Sequence, residues 1–267
     1  MIRDITIGQY YPADSILHRL DPRVKFVSTL VYIISLFVFS SWFGYAVAGL
    51  FLVCMIHISK VPFKFMVKGL KPIVLLLCLT MFFNLIFTPG EEIFHIWIIT
   101  VTVEGVRMAV RMGIRLVFLI IGASIMTLTT TPNQLTDGLE RLMKPLNKIH
   151  VPVHDIAMMM SIALRFIPIL LEETDKIMKA QTARGADFEN GNLIQKVKNM
   201  VPLLVPLFIS AFRRANDLAM AMEARCYHGG EGRTQMKPLK YARRDFIAYG
   251  VVFAYLGVSI IFRVAGI

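Results

Sequence analysis

The sequence predicts an all-α integral membrane protein, a bundle of about five transmembrane helices with long, kinked amphipathic helices attached to it. Three observations predict this class. The 267 residues are 56% hydrophobic and only 18% charged, whereas roughly a quarter of a soluble domain is charged. The mean hydropathy is +0.61. The charge is also unevenly distributed, because long apolar runs dominate residues 24–131 and most charged residues fall within 132–245.

Five apolar segments are long enough to cross a bilayer, which takes about 20 mainly apolar residues. They cover residues 24–40, 42–58, 72–88, 105–131 and 246–262. We therefore divide the chain into an N-terminal membrane domain (1–131), a polar segment (132–245) and a C-terminal transmembrane helix (246–267). The alternating, β-branched run at 93–105 predicts a short β-hairpin or an interfacial strand between the third and fourth spans.

The connecting segments predict the orientation, because Lys and Arg accumulate on the cytoplasmic side of a membrane protein. The segment before the first span carries Arg3, Arg19 and Arg23, Lys25 lies at the very start of that span, and the second connection carries Lys60, Lys64, Lys68 and Lys71. The connection at 89–104 has no basic residue. We expect the N-terminus and residues 132–245 in the cytoplasm and the C-terminus outside. The net charge of +11 fits an anionic leaflet or an acidic partner better than nucleic acid, since no nucleic-acid-binding motif is visible.

Three arginines interrupt the fourth span. Arg107, Arg111 and Arg115 recur every four residues and so form one stripe along the outer half of the helix. A charge at membrane depth is costly and usually faces protein or water. Two interpretations stay open: the helix extends beyond the bilayer and the arginines reach the outer headgroups, or the stripe contacts another subunit or a polar cavity.

The polar segment predicts three helices. The first opens at Pro132 and is interrupted by Pro145. The second and third repeat apolar residues at helical spacing and contain prolines that should kink them, at Pro168, Pro202 and Pro206. Both are apolar early and charged late. We expect such helices to lie along the inner face of the bilayer, with their far ends in the cytoplasm.

These two helices end in the same short signature, an arginine flanked by small residues before a glycine-containing loop. The residues are Ala183, Arg184 and Gly185 at the first end, and Ala224, Arg225 and Cys226 at the second. One interpretation is that each cation only stabilises the helix dipole and caps free carbonyls, for about 0.3 to 1 kcal/mol. The other is docking, because small neighbours allow close approach while the guanidinium makes forked hydrogen bonds. Two such ends indicate two grooves, and hence a dimeric partner.

Several kinds of chemistry have no motif here. The sequence lacks a Gly-x-x-x-x-Gly-Lys-Ser/Thr phosphate loop, a His-Glu-x-x-His zinc motif and paired acids within the spans. We therefore predict no catalytic residue, no metal and no cofactor in this chain. The cluster at Asp14, Ser15, His18 and Asp21 is interpreted as a capped interfacial turn leading into the first span rather than as a catalytic site.

Over essentially its whole length the chain resembles the transmembrane coupling subunit, or T component, of energy-coupling factor (ECF) transporters. The resemblance is carried by "GQYYPADSILHRLDPRVK", "TPNQLTDGLERLMKPL", "ARGADFENGN" and above all "PLLVPLFISAFRRANDLAMAMEARCYHGGEGRT". In that family two cytoplasmic coupling helices end in Ala-Arg-Gly-type motifs that dock onto two ABC-type ATPase subunits. Carried over, Ala183, Arg184 and Gly185 match the first motif, and Ala224 and Arg225 match the second. Cys226 departs from the usual glycine, which puts the backbone turn there in doubt because cysteine adopts positive φ less readily.

The resemblance implies a non-catalytic subunit in a prokaryotic plasma membrane. It would couple two ABC-type ATPases to a membrane-embedded substrate-binding subunit, the S component, for uptake of vitamins or transition-metal ions. Substrate affinity would lie in the S component. The residue pattern also allows a self-contained secondary transporter, which would need matching halves with polar midplane sites, and a membrane enzyme, which would need a catalytic constellation. We find neither feature in the sequence.

Overall fold

The computed structural model describes residues 10–38, 41–96, 99–186, 188, 193–230, 232, 234, 236 and 238–264, with 92–96, 99–101, 193, 194, 196, 197 and 199 described for their backbone only. Both chain ends, and residues 39–40 of the first expected span, lie outside these ranges. In chain order the helices are α1 Pro22–Val38, α2 Trp42–Ser59, α3 Phe63–Lys68, α4 Val74–Phe87, α5 Val103–Thr129, α6 Pro132–Met143, α7 Val153–Ala183, α8 Leu193–Ala224 and α9 Arg243–Val264. Strands β1 Glu92–Ile96 and β2 Ile99–Thr102 precede α5, and a 3-10 helix at Lys144–Ile149 follows α6.

The chain divides into two compact units. Of the described residues, the membrane unit comprises those within 10–138 and 239–264, and the arm unit comprises those within 139–238. The expected division at 131/132 and 245/246 therefore lies inside the membrane unit. At the first of these boundaries the reason is packing. Thr136 and Gly138 on α6 are buried, and a Cβ on Gly138 would lie 3.0 Å from that of Pro22.

The core of the membrane unit lies around α5, which packs against α1, α2 and α4. Ile121, Ile125 and Leu128 on α5 are buried together with apolar residues of α1 and α2. An aromatic group closes the core, because the rings of Phe51 and Tyr255 stack with centroids 4.4 Å apart. This contact joins α2 to α9, so the last helix belongs to the same bundle as the first two.

Local capping explains where several helices begin. Asp21 accepts a hydrogen bond from the Arg23 N–H at 2.9 Å, and Pro22 occupies the first helical position of α1, where its missing N–H costs nothing. Thr131 and Gln134 form a reciprocal capping box at the start of α6, with bonds of 3.2 and 3.3 Å. The predicted opening at Pro132 is thereby confirmed. So is the interruption at Pro145, since α6 gives way to the 3-10 helix there.

The β-hairpin predicted between the third and fourth spans is confirmed. Strands β1 and β2 are antiparallel, with Ile96 opposite Ile99 and an irregularity between Glu92 and Phe94. Thr102 ends the hairpin and caps α5, because its hydroxyl accepts the Gly105 N–H at 3.0 Å. The predicted fold class is thus correct: apart from this hairpin, the regular elements of the described residues are helices.

Four helices of the described residues are long and apolar enough to cross a membrane, namely α2, α5, α7 and α9. Helix α1 has 17 residues and α4 has 14, which for α4 is about 21 Å against a hydrocarbon core of about 30 Å. Helix α7 meets the criterion although we expected it along the inner face of the bilayer. Length and composition place it in the candidate set, so its interfacial position stays a prediction.

Candidate docking site

The C-terminus of α7 is closed by a capping motif built around Arg184. The Gly185 N–H donates to the Thr182 carbonyl at 2.9 Å, and the Ala186 N–H reaches back to the Gln181 carbonyl at 3.0 Å. Gly185 has φ of +93°. This pair of bonds around a left-handed residue is the Schellman arrangement, which satisfies carbonyls that the helix leaves free. Arg184 is the C-cap residue and is exposed.

The C-terminus of α8 repeats the same arrangement around Arg225. The Cys226 N–H donates to the Glu223 carbonyl at 2.8 Å, and the Tyr227 N–H donates to the Met222 carbonyl at 3.0 Å. Each bond has its equivalent at the end of α7, one for one. Arg225 is exposed, as are Ala224 and Cys226 beside it. The two signatures seen in the sequence are therefore also the same backbone structure.

Cys226 adopts a positive φ, the backbone conformation that the sequence put in doubt because cysteine carries a Cβ. Its φ is +56°, in the left-handed region where a residue with a Cβ costs about 1–2 kcal/mol. At Gly185 a Cβ would meet no atom within 4 Å, so there the requirement for glycine comes from the backbone angle alone. The capping bonds of α8 are thus formed despite the cost of the cysteine backbone.

Helices α7 and α8 pack against each other within the arm unit. Arg214 on α8 donates to Glu173 on α7 at 3.1 Å, across 41 positions of sequence. Gln181 donates its side-chain amide to the Pro202 carbonyl at 3.4 Å. That carbonyl has no helical donor, because residue 206 is also a proline and lacks an N–H. Both helices continue past their prolines, and the kinks predicted there stay a prediction.

The segment after Arg225 returns to the beginning of α7. A Cβ on Gly230 would overlap the His154 ring, so the glycine allows the chain to pack directly on the imidazole. His154 is held in turn by Glu140, 2.9 Å from its Nδ1. These contacts place the end of α8 near the start of α7.

The two arginines are consequently far apart. His154 precedes Arg184 by 30 helical positions, about 45 Å at 1.5 Å per residue. Gly230 follows Arg225 by five residues, which reach at most about 18 Å. The arginine backbones must therefore be separated by at least about 20 Å. A helix is about 10–12 Å wide, so a groove that accepts one helix end cannot accept both.

The arm helices also expose a long apolar face. On α8 it comprises Val201, Leu204, Val205, Phe208, Ile209 and Phe212, and on α7 it includes Met159, Met160 and Ile167. Among the side chains described on these helices, only a few apolar ones are buried, including Leu203 and Ala157. Such a surface fits lipid or a membrane-embedded partner better than water.

The arginine stripe of α5 does not behave as one unit. Arg115 donates to the Tyr45 hydroxyl at 2.9 Å and lies over the Phe37 ring, 5.4 Å from its centroid. It therefore contacts its own bundle. Arg111 is half-buried and Arg107 is exposed, and contact with another subunit stays a prediction for all three arginines.

A buried polar cluster in the membrane unit escaped the sequence analysis. Asp245, 1% exposed, accepts the Asp21 N–H at 2.9 Å and the Ala242 N–H at 2.7 Å. Lys25, 5% exposed, donates to the Thr129 carbonyl at the end of α5, at 2.8 Å. The cluster joins the starts of α1 and α9 to the end of α5. The only local signal in the sequence was the Asp-Pro helix start, which says nothing about the partner 224 positions away.

The N-terminal polar residues support the interpretation as a capped turn. His18 Nδ1 lies 2.7 Å from the Ser15 hydroxyl, and Nε2 lies 3.0 Å from the Tyr11 carbonyl. Burial lowers the pKa of His18, and the Tyr11 bond opposes this only in part. Asp14 forms an exposed ion pair with Arg19 at 2.6 Å, whose hydrogen bond lowers the pKa of Asp14.

Four long apolar helices and an exposed apolar surface that is suited to contact with lipid define an integral membrane protein of the all-α class. A sequence profile of the CbiQ family, described as cobalt transport protein, matches residues 13–236. The energy-coupling factor transporter transmembrane protein EcfT of Clostridium kluyveri is 58% identical over 266 residues, 99% of this chain and 98% of the relative. The protein of the same name from Bacillus subtilis is 47% identical over 246 residues, 92% and 93% of the two chains. The chain belongs to this family of transporter transmembrane proteins.

Proposed function

We propose that this chain is the subunit through which two ABC-type ATPases drive a substrate-binding S component, with Arg184 and Arg225 as the two ATPase-docking points. The observation that carries the proposal is the equivalence of the two helix ends. Two exposed arginines occupy the same position of the same capping motif, on two helices of one unit. A cap that only closed a helix would not require arginine at both ends.

The geometry favours two docking partners over one. The arginines lie at least about 20 Å apart, and each is flanked by alanine on one side and glycine or cysteine on the other. Small flanking residues let the helix end approach a groove, where a guanidinium makes forked hydrogen bonds with carboxylate or carbonyl oxygens. Two copies of one groove, or two similar grooves, are supplied by a dimer of ATPases.

The arm unit offers a mechanical link between docking and transport. Helices α7 and α8 are tied near their prolines by the Gln181–Pro202 bond and by the Glu173–Arg214 ion pair. A movement imposed on either arginine end is transmitted along 31 or 32 residues of helix. The exposed Met-rich and aliphatic face then acts on the S component, because flexible methionines tolerate a contact that slides. Vitamins or transition-metal ions are the proposed substrates, bound by the S component.

Co-purification tests this function. The wild-type chain and the Arg184→Ala/Arg225→Ala variant would be purified from their own membranes in mild detergent, and the associated proteins identified by mass spectrometry. A matched control is Arg165→Ala/Arg213→Ala, which removes two exposed arginines from the same helices. We expect two ATP-binding subunits with the wild type and the control and a strong depletion with the test variant. Equal recovery in all three samples would contradict docking by these arginines.

A further inference from the structure

We infer that residues 60–71, between α2 and α4, form a binding surface for anionic phospholipid headgroups. Four lysines of this segment, Lys60, Lys64, Lys68 and Lys71, are all exposed. No acidic side chain of the described residues forms an ion pair with any of them. The charge of Lys60 contributes to lowering the pKa of Asp14, but that carboxylate is already paired with Arg19. The segment therefore presents a net positive charge that the described residues of the chain do not neutralise.

The opposite face of the segment is fixed to the bundle. Val61 is 4% exposed and Met66 is fully buried in the core around α5, with Leu70 packed beside them. A Cβ on Gly69 would lie 3.0 Å from the Ser124 hydroxyl of α5. Residues 61, 66 and 70 thus anchor one side, so the lysines must point away from the protein. The lysine surface is held in place by packing and does not depend on a flexible loop.

The neighbouring helix sets the depth of this surface. Helix α2 is one of the candidate spans and has 18 residues, which gives about 27 Å, close to the thickness of the hydrocarbon core. Lys60 follows its last residue directly and adopts φ of +55° to turn the chain. The four lysines consequently begin at the level of the headgroups.

The side chains between the lysines favour lipid over a protein partner. On α3, Lys64 and Lys68 share one face, while Phe63 and Val67 flank it with 57% and 39% of their surface exposed. A short helix with apolar flanks and lysines beside them is the pattern of an interfacial helix, whose apolar residues enter the acyl region while the ammonium groups reach phosphate. An acidic protein surface would satisfy the lysines but would leave Phe63 and Val67 unexplained.

Competitive lipid retention tests the inference. The full chain would be equilibrated in mild detergent with equal amounts of phosphatidylglycerol and phosphatidylcholine of identical acyl chains, and the retained lipids counted by native mass spectrometry. We expect the wild type to prefer phosphatidylglycerol and Lys64→Gln/Lys68→Gln to lose the preference, on the order of five-fold for each lysine. Lys64→Arg/Lys68→Arg should keep it. The control Lys176→Gln/Lys179→Gln removes two exposed lysines of α7 and should leave the preference unchanged.

The lipid preference would also be measured at high salt and in the presence of inorganic phosphate. The wild-type preference should fall when salt is raised from 0.1 M to about 1 M, where the screening length drops from about 10 Å to about 3 Å. This reading does not depend on whether a variant folds. An unchanged preference in Lys64→Gln/Lys68→Gln would overturn the inference. So would an equal loss of preference in the α7 control, or complete displacement of phosphatidylglycerol by millimolar inorganic phosphate. The inference would also fail if Lys64→Gln/Lys68→Gln lost a co-purifying acidic protein while its lipid preference stayed the same.

Discussion

Arg184 and Arg225 occupy equivalent backbone positions, since each is the residue before a left-handed turn that closes its helix with the same pair of hydrogen bonds. The equivalence holds although the left-handed residue is glycine in one case and cysteine in the other. Two ends built alike, but at least about 20 Å apart, fit two similar sites on a dimer. This relationship connects the helix chemistry of the arm unit to the proposed coupling of two ATPases.

Uptake should depend on both arginines in a graded way. Arg184→Ala and Arg225→Ala should each impair uptake, and the double variant should abolish it, because each removes one charge-assisted contact with an ATPase. The measurement is substrate accumulation in cells that express the complete transporter. Membrane insertion of this chain should be unaffected, as both side chains are exposed. Wild-type uptake by the double variant would be incompatible with the docking proposal.

The two left-handed positions should respond oppositely to substitution. Cys226→Gly should stabilise the last turn of α8 by about 1 kcal/mol, because glycine adopts positive φ without the Cβ penalty. Gly185→Ala should destabilise the last turn of α7 by a similar amount, with no steric contribution, since no atom lies near the added Cβ. Amide hydrogen exchange of the two turns measures both effects, as an increase or decrease in protection of roughly five-fold. Changes of the same sign would show that the backbone angle is not the governing term.

Asp245, which is buried, should be much more important for stability than the exposed Asp14. In Asp245→Asn one of the two N–H donors at 2.7 and 2.9 Å loses its acceptor inside the protein, which costs about 1–3 kcal/mol. Asp14→Asn is the control, because the Asp14–Arg19 pair is largely exposed and an exposed ion pair contributes little to stability. Thermal unfolding of the two variants in detergent compares them. Equal unfolding temperatures would remove the structural role assigned to Asp245.

Acidification should destabilise the membrane unit through His18. Burial holds the pKa of His18 below its ordinary value of 6.5, so the unfolded chain binds more protons than the folded one as the pH falls through 6.5. Stability should be fully present above pH 6.5 and decline as the pH falls toward the folded pKa. Unfolding measured from pH 7.5 to 5 should show this slope, and His18→Asn should reduce it. A slope unchanged by the substitution would assign the effect to other groups.

The sequence was most informative where structure is local. The start of α6 at Pro132 was predicted from a local helix-opening signal, and the structure closes it with hydrogen bonds between Thr131 and Gln134; the end of α7 depends on a single glycine. Both follow from short-range hydrogen bonding, so composition and spacing suffice. The β-hairpin was likewise indicated by alternation over about ten residues.

Long-range pairing could not be predicted from the same patterns. Asp245 bonds to an N–H 224 positions away, and Arg115 meets Tyr45 across 70 positions. Side-chain periodicity gives the face of a helix but not its neighbour. The Arg107–Arg115 stripe shows the consequence, because three residues on one face of α5 have different surroundings. At Cys226 the sequence indicated strain, but the hydrogen bonds that offset it became visible only in the structure.

The most direct test of docking is a cross-link from the two helix ends. In a chain with Cys54→Ala and Cys78→Ala, a benzophenone maleimide would label Cys226, which is exposed. A second chain would also carry Cys226→Ala and Ala186→Cys, so that the label is attached at position 186 instead. Irradiation of the assembled complex, followed by mass spectrometry, identifies what lies beside each end. The account predicts an ATP-binding subunit cross-linked at both positions. Cross-links at both positions to lipid or to a membrane subunit alone would contradict it.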